Sequence, residues 1–208
     1  NEMMGGMFPD AYLANQAIIS SSYSGTSYLV FDTRNKVFLA PGDWGMVMPV
    51  YDDLEAVSVL GMLSSKNDGE GIIIMKDVAN QMKVAYVNAK NNVLKSVWPE
   101  TKGNIVENSV FLTSQKESIL YYSKGNEIFR YNFESDGNFP GSSDYTVGEE
   151  GDIVKGMMLD PQEKNLYVAL DAAGNQEYKG CVYCYDVATK SLKWKERGVA
   201  GEIVQMIY

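Results

Sequence analysis

Two cysteines, Cys181 and Cys184, stand at C-x-x-C spacing, the pattern of redox dithiols and of paired metal ligands. The residues between them, Val182 and Tyr183, suit a strand, and strand residues three apart point to opposite faces. Thiols on opposite faces can neither bridge each other nor pinch one metal, so both are expected as small buried fillers. Their spacing leaves the redox compartment open. The chain contains no histidine, which removes Ser-His-Asp and Cys-His nucleophile systems and the usual His-bearing zinc sites. Carboxylate, lysine or tyrosine chemistry remains.

Carboxylates occur as two adjacent pairs, Asp52-Asp53 and Glu149-Glu150. A glycosidase needs two opposed carboxyl groups several Å apart, and neighbours on one strand diverge, so solvated loop charge is the expectation. Oxygen ligands cluster in one long loop at Asp136, Asn138, Ser142 and Asp144, and in another at Asp171, Asn175 and Glu177. Neither has the spacing of a calcium loop, and turn chemistry explains both, so no metal is expected. The remaining binding candidates are aromatic. Trp44, in Gly42-Asp43-Trp44-Gly45, has little apolar company and is expected to be exposed, with Asp43 beside it, as a platform for a sugar or a peptide side chain. Trp98 and Trp194 sit at equivalent outer-strand ends and read as packing. No catalytic residue and no cofactor is expected.

What must position these residues is a repeat. Gly-x-Ile-Val openings occur at positions 103, 151 and 201, spaced 48 and 50 residues apart. A strand-rich chain with a period near that length reads as an array of propeller blades. The 151 unit is complete: a strand from Ile153 to Leu159, then Leu166 to Leu170, Cys181 to Asp186 and Ser191 to Lys195. The 103 unit predicts an inner strand over Ile105 to Thr113, then Ile119 to Tyr122 and Glu127 to Tyr131, followed by a long turn from Asn132 to Asp144. Upstream lie Ala56 to Met62, Ile72 to Met75, Lys83 to Val87 and Val93 to Trp98.

The first unit reads as three strands, Ala17 to Ser22, Tyr28 to Phe31 and Val37 to Leu39, after one short helical turn from Pro9 to Leu13. The segment Ile203 to Tyr208 is expected to supply its missing first strand, pairing beside Ile18. Continuous apolar runs at Ile72 to Met75 and Met157 to Leu159 fit strands covered on both faces, as blades are. The fold class is therefore all-β, a β-propeller of four-stranded antiparallel blades spanning residues 1–208. About four blades are expected, as a closed ring or as part of a larger one.

The net charge of −9 excludes nucleic acid as a partner, because phosphate binding needs a basic face. The densest cationic group, Lys190, Lys193, Lys195 and Arg197, reads as a solvated strand edge. No apolar run approaches the length of a membrane-spanning helix. The chain opens at Asn1 without a signal-peptide pattern, so it is expected to be processed or a piece of something longer.

The repeat openings, the hairpin at Tyr185-Asp186 and the segment from Ile119 to Tyr131 resemble the C-terminal propeller region of PKD-like surface lipoproteins of Bacteroidetes. The family's lipobox cysteine and PKD-like part are not in this sequence, and the resemblance assigns no role to any single residue. It implies a lipid-anchored outer-membrane location and the company of SusC/SusD-type importers and other surface lipoproteins. The implied function is that of a non-catalytic accessory protein binding glycan, peptide or neighbouring subunits. The alternative is a carboxylate-based glycan-cleaving propeller enzyme.

Overall fold

Among the described residues, four antiparallel meanders of four strands each follow one another along the chain, and in every sheet the strands lie in sequence order. The computed structural model describes residues 12–13, 16–21, 27–32, 37–38, 56–67, 70–77, 82–88, 93–96, 106, 108–134, 140–172 and 179–199. The first sheet holds β1 (Tyr12–Leu13), β2 (Gln16–Ser21), β3 (Ser27–Asp32) and β4 (Val37–Phe38). The second holds β5 (Ala56–Ser64), β6 (Glu70–Asp77), β7 (Met82–Asn88) and β8 (Val93–Ser96). In the third are β9 (Phe111–Thr113), β10 (Ile119–Lys124), β11 (Glu127–Asn132) and β12 (Tyr145–Thr146). The fourth comprises β13 (Ile153–Leu159), β14 (Asn165–Asp171), β15 (Gly180–Asp186) and β16 (Leu192–Arg197). Two compact units divide the chain, Asn1–Glu100 with the first two sheets and Thr101–Tyr208 with the third and fourth.

Three expectations are corrected. The end of the predicted helical turn is a strand: Tyr12 and Leu13 pair with Ala17 and Gln16. The first sheet thus has its own first strand, and Ile203 to Tyr208 lies outside the described residues. The predicted inner strand from Ile105 shortens to Phe111–Thr113. Ser123 explains this. Its hydroxyl accepts the Val110 N–H at 2.8 Å, while Ser109 Oγ donates to the Ser123 carbonyl at 2.5 Å and accepts the Val106 N–H at 2.9 Å. Serine hydroxyls have taken groups that a ladder would use, and a turn replaces the strand. The fourth strand of this sheet, Tyr145–Thr146, comes only after the long excursion that follows β11, paired through Ile128 to Tyr145.

Within the second unit, the third sheet packs on one face of the fourth. Leu166, Val168 and Leu170 of β14 and Cys181, Tyr183 and Tyr185 of β15 point into this core at alternate positions. They meet Tyr121 and Ile128 from β10 and β11, Tyr145 from β12 and Val147 beyond it. Leu166, Val168, Leu170 and Val154 have no exposed surface, and complete burial of such side chains contributes about 1.5–3 kcal/mol each. Tyr145 meets Tyr185 edge-on at 5.4 Å between centroids. The Val154 N–H donates to the Gly125 carbonyl at 2.9 Å, which ties β13 to the β10–β11 turn.

Candidate functional site

Three hairpin turns of the second unit gather at one end of its two sheets, each built by local side-chain chemistry. The turn from β13 to β14 is Asp160-Pro161-Gln162-Glu163, with proline at the position that fixes φ for a type I turn and the Glu163 N–H donating to the Asp160 carbonyl at 2.8 Å. Glu163 then adopts φ +54°, a left-handed conformation that non-glycine residues rarely take. The Asp160 carboxylate closes the turn by accepting Lys164 N at 2.7 Å, Asn165 N at 3.3 Å and Asn165 Nδ2 at 2.6 Å. Burial raises the cost of its charge, but these three donors outweigh that and hold its pKa below the ordinary carboxylate value.

In the turn from β15 to β16, the Asp186 carboxylate accepts the Thr189 N–H at 2.9 Å and its hydroxyl at 3.0 Å. These bonds lower the Asp186 pKa. This is the Asp-before-turn pattern that the sequence shows, acting as an Asx turn. The turn from β9 to β10 is organised by Ser114, whose hydroxyl accepts Lys116 N at 3.0 Å and Glu117 N at 2.8 Å.

The turns are latched across the two sheets. Glu163 accepts the Ser114 hydroxyl at 2.5 Å and the Gln115 N–H at 2.6 Å, and Lys116 Nζ donates to the Gln162 carbonyl at 2.8 Å. Lys193 on β16 donates to Asn165 Oδ1 at 2.7 Å and lies 3.8 Å from Asp186. Between the turns opens a cleft of about 680 Å³. Its back wall is Tyr121 on β10 and Arg130 on β11. The guanidinium sits 5.5 Å above the Tyr121 ring, within cation–π range. Burial pushes the Tyr121 phenol up, with Arg130 pulling the other way. Arg130 reaches only 3.8 Å from the Glu117 carboxylate, and its Nε is buried with no hydrogen-bond partner.

Few of the residues singled out from sequence lie here. Trp44, Asp43, Asp52, Asp53, Trp98, Asp136, Asn138, Asn175 and Glu177 fall outside the described residues. Glu149 and Glu150 are exposed in the turn before β13, where the Glu149 carbonyl accepts Asn126 Nδ2 at 3.0 Å. Asp144 is half-buried, and its carboxylate accepts the Arg130 N–H at 3.1 Å and pairs with Lys190. Lys190 and Lys193, expected on a solvated strand edge, thus reach back to the neighbouring turns. Cys181 and Cys184 are free, buried and on opposite faces of β15: Cys181 joins the core, and Cys184 lies opposite Tyr167 and Trp194. The Trp194 ring stands 6.0 Å from Tyr167 and is half exposed.

Sequence reasoning missed Arg130, Glu163 and Lys116. The signal available was the Asp160-Pro161 turn opposite a serine-led turn one repeat earlier, at Ser114.

No family model matches the chain, and no curated protein matches it in sequence. Solved structures do match in fold. An auxiliary nutrient binding protein from Bacteroides thetaiotaomicron superposes with a TM-score of 0.53 at 14% identity, over 98% of this chain and 44% of that one. The Cps50 (Swd1) β-propeller domain of Myceliophteria thermophila superposes at 0.56 and 7% identity, over 98% and 59%. The dihydro-heme d1 dehydrogenase NirN, in complex with DHE, does so at 0.57 and 10%, over 93% and 37%. The chain therefore spans between 37% and 59% of the length of these solved chains. The fold is all-β, a β-propeller type built of four-stranded antiparallel blades.

Proposed function

We propose that this chain is a non-catalytic accessory domain of a SusC/SusD-like outer-membrane nutrient import complex. It holds glycan, peptide or neighbouring subunits at the lipid-anchored cell-surface location that the sequence resemblance implies. The observation that carries the reading is the cleft between the third and fourth blades, where turns from two sheets are latched into a rigid rim around polar groups. Loops on a rigid scaffold are where binding residues concentrate. Likeness in fold to an auxiliary nutrient binding protein of Bacteroides agrees with this role. A net charge of −9 fits a lobe that stands off an anionic membrane rather than lying on it.

Two of the three carboxylates at the cleft are engaged in structure. Glu163 spends its two oxygens on Ser114 and Gln115, and Asp186 is held by Thr189. This favours binding over carboxylate-based glycan cleavage. Trp44, with Asp43, is the second proposed platform, and Trp44→Ala should weaken ligand capture while leaving the far-ultraviolet spectrum unchanged. The deciding experiment is affinity purification of the tagged protein from membranes. Recovery of importer subunits supports the accessory role. Turnover of a glycan or peptide by the purified protein, abolished by changing one carboxylate, refutes it.

A further inference from the structure

We propose that the cleft between the third and fourth blades binds the carboxylate of an acidic saccharide, with Arg130 as its anchor; this rests on the binding role proposed above. The guanidinium carries five N–H donors in a planar fork that matches a carboxylate's two oxygens. Here that fork is held in place, and only its partly exposed terminal nitrogens are open to a ligand. The Tyr121 ring supports it from one side at 5.5 Å and the Tyr121 phenol shares a hydrogen bond with it, while the paired Glu117 carboxylate stands 3.8 Å from Nη2, beyond hydrogen-bond distance. The Glu117 side chain is 63% exposed, so water screens the pair and a ligand's carboxylate can displace it.

The local charge has the right sign. In a chain of net charge −9, this cleft is lined by four cationic side chains and three carboxylates. Two of the three carboxylates, Glu163 and Asp186, have oxygens already occupied by donors from their own and the neighbouring turn, and the four cations still outnumber the carboxylates by one. Lys164, exposed in the lining, adds a second positive group to the cleft.

The lining favours a sugar over a peptide. Apart from the Tyr121 ring beneath Arg130, the apolar contribution is Val187 and Ala188, too little to make the side-chain pockets by which peptides are read. Polar groups such as Gln162 suit a ligand that carries a hydroxyl on nearly every carbon. Clefts of about 300–1,000 Å³ hold ligands of a few rings, and this one measures about 680 Å³.

Isothermal titration calorimetry on the whole purified chain tests the proposal with three probes. They are a uronic-acid tetrasaccharide, the same tetrasaccharide with its carboxyls reduced to alcohols, and a glutamate-rich tetrapeptide. The uronate should bind, more weakly as salt rises, and the reduced form and the peptide at least about tenfold more weakly. Arg130→Gln should cost about tenfold to hundredfold in uronate affinity. Lys164→Gln, at an exposed position, should cost a few-fold; together with the salt dependence it decides the question if Arg130→Gln does not fold. Equal binding of uronate and reduced sugar, full affinity in folded Arg130→Gln, tighter binding of the peptide, or no binding of any probe each overturns the proposal. The last of these leaves the accessory role standing, because that role is judged by recovery of importer subunits.

Discussion

Glu163, on the turn between β13 and β14, accepts the Ser114 hydroxyl at 2.5 Å and so fastens the first hairpin of one blade to the first hairpin of its neighbour. The bond is charge-assisted, and a second donor, Gln115 N–H at 2.6 Å, shares the same carboxylate. Glu163→Ala should therefore lower stability by about 1–3 kcal/mol in urea unfolding. Glu163→Gly loses the same bonds but relaxes the backbone, held at φ +54°. It should recover about 1 kcal/mol of that loss. Equal stability of the two variants would show that the left-handed conformation stores no strain.

Gly148 and Gly151 offer a controlled comparison in the turn leading into β13. Both have positive φ, +74° and +94°, but a Cβ at Gly148 would overlap the Asp152 carboxylate and crowd Leu170, whereas a Cβ at Gly151 would enter open space. Gly151→Ala should cost only conformational strain, about 1 kcal/mol. Gly148→Ala should cost about 2–4 kcal/mol, because overpacking adds to the strain. Thermal denaturation of the two variants side by side checks the order.

Acid stability should report on Asp160. Its folded-state pKa lies below the usual 3.8, so its charged form favours folding. That contribution is fully present above the unfolded value and is lost as pH falls through the lower folded value. Asp160→Asn should flatten this part of the acid limb of the stability curve and lower stability at neutral pH. An unchanged acid limb would show that the turn does not depend on the carboxylate.

The two thiols should be silent in the folded protein. Burial is the first cause raising the pKa of both Cys181 and Cys184, and neither is bridged. Thiol-reactive dye at neutral pH should label neither at an appreciable rate in native protein, and both in denaturant. Fast native labelling at one site would place that face of β15 in contact with solvent.

Much of the fourth blade was legible in the sequence. Its strands are compact apolar runs with a polar outer strand, and its turns announce themselves through Asp160-Pro161 and Asp186 to Lys190. The third blade was harder. There the Ser109 and Ser123 hydroxyls compete with the backbone ladder, a choice that apolar patterning does not encode. Its last strand is two residues long and follows the excursion after β11, too short for periodicity to register. The cleft was invisible for a different reason. Arg130 follows Ile128 and Phe129 in an ordinary strand, and its role depends on Tyr121 beneath it and on turns about 30–60 positions away in the neighbouring repeat.

The register shift in β13 carries a consequence for how such repeats can change length. Val154 pairs with Leu170 and Gly156 with Ala169, so Lys155 is supernumerary on its strand and exposed. Because of that extra residue, Val154 and Met157 reach the same core although they are three positions apart. Removing Lys155 would leave them two apart, the normal interval for one face, and neither would turn outward. A one-residue deletion elsewhere in the strand would invert every side chain beyond it. β5, which opens the second sheet, carries two such shifts, between Ala56 and Ser58 and between Val59 and Gly61. First strands built this way can gain or lose a residue without reversing inside and outside. A repeat that drifts between 48 and 50 residues can therefore stay in frame with its core.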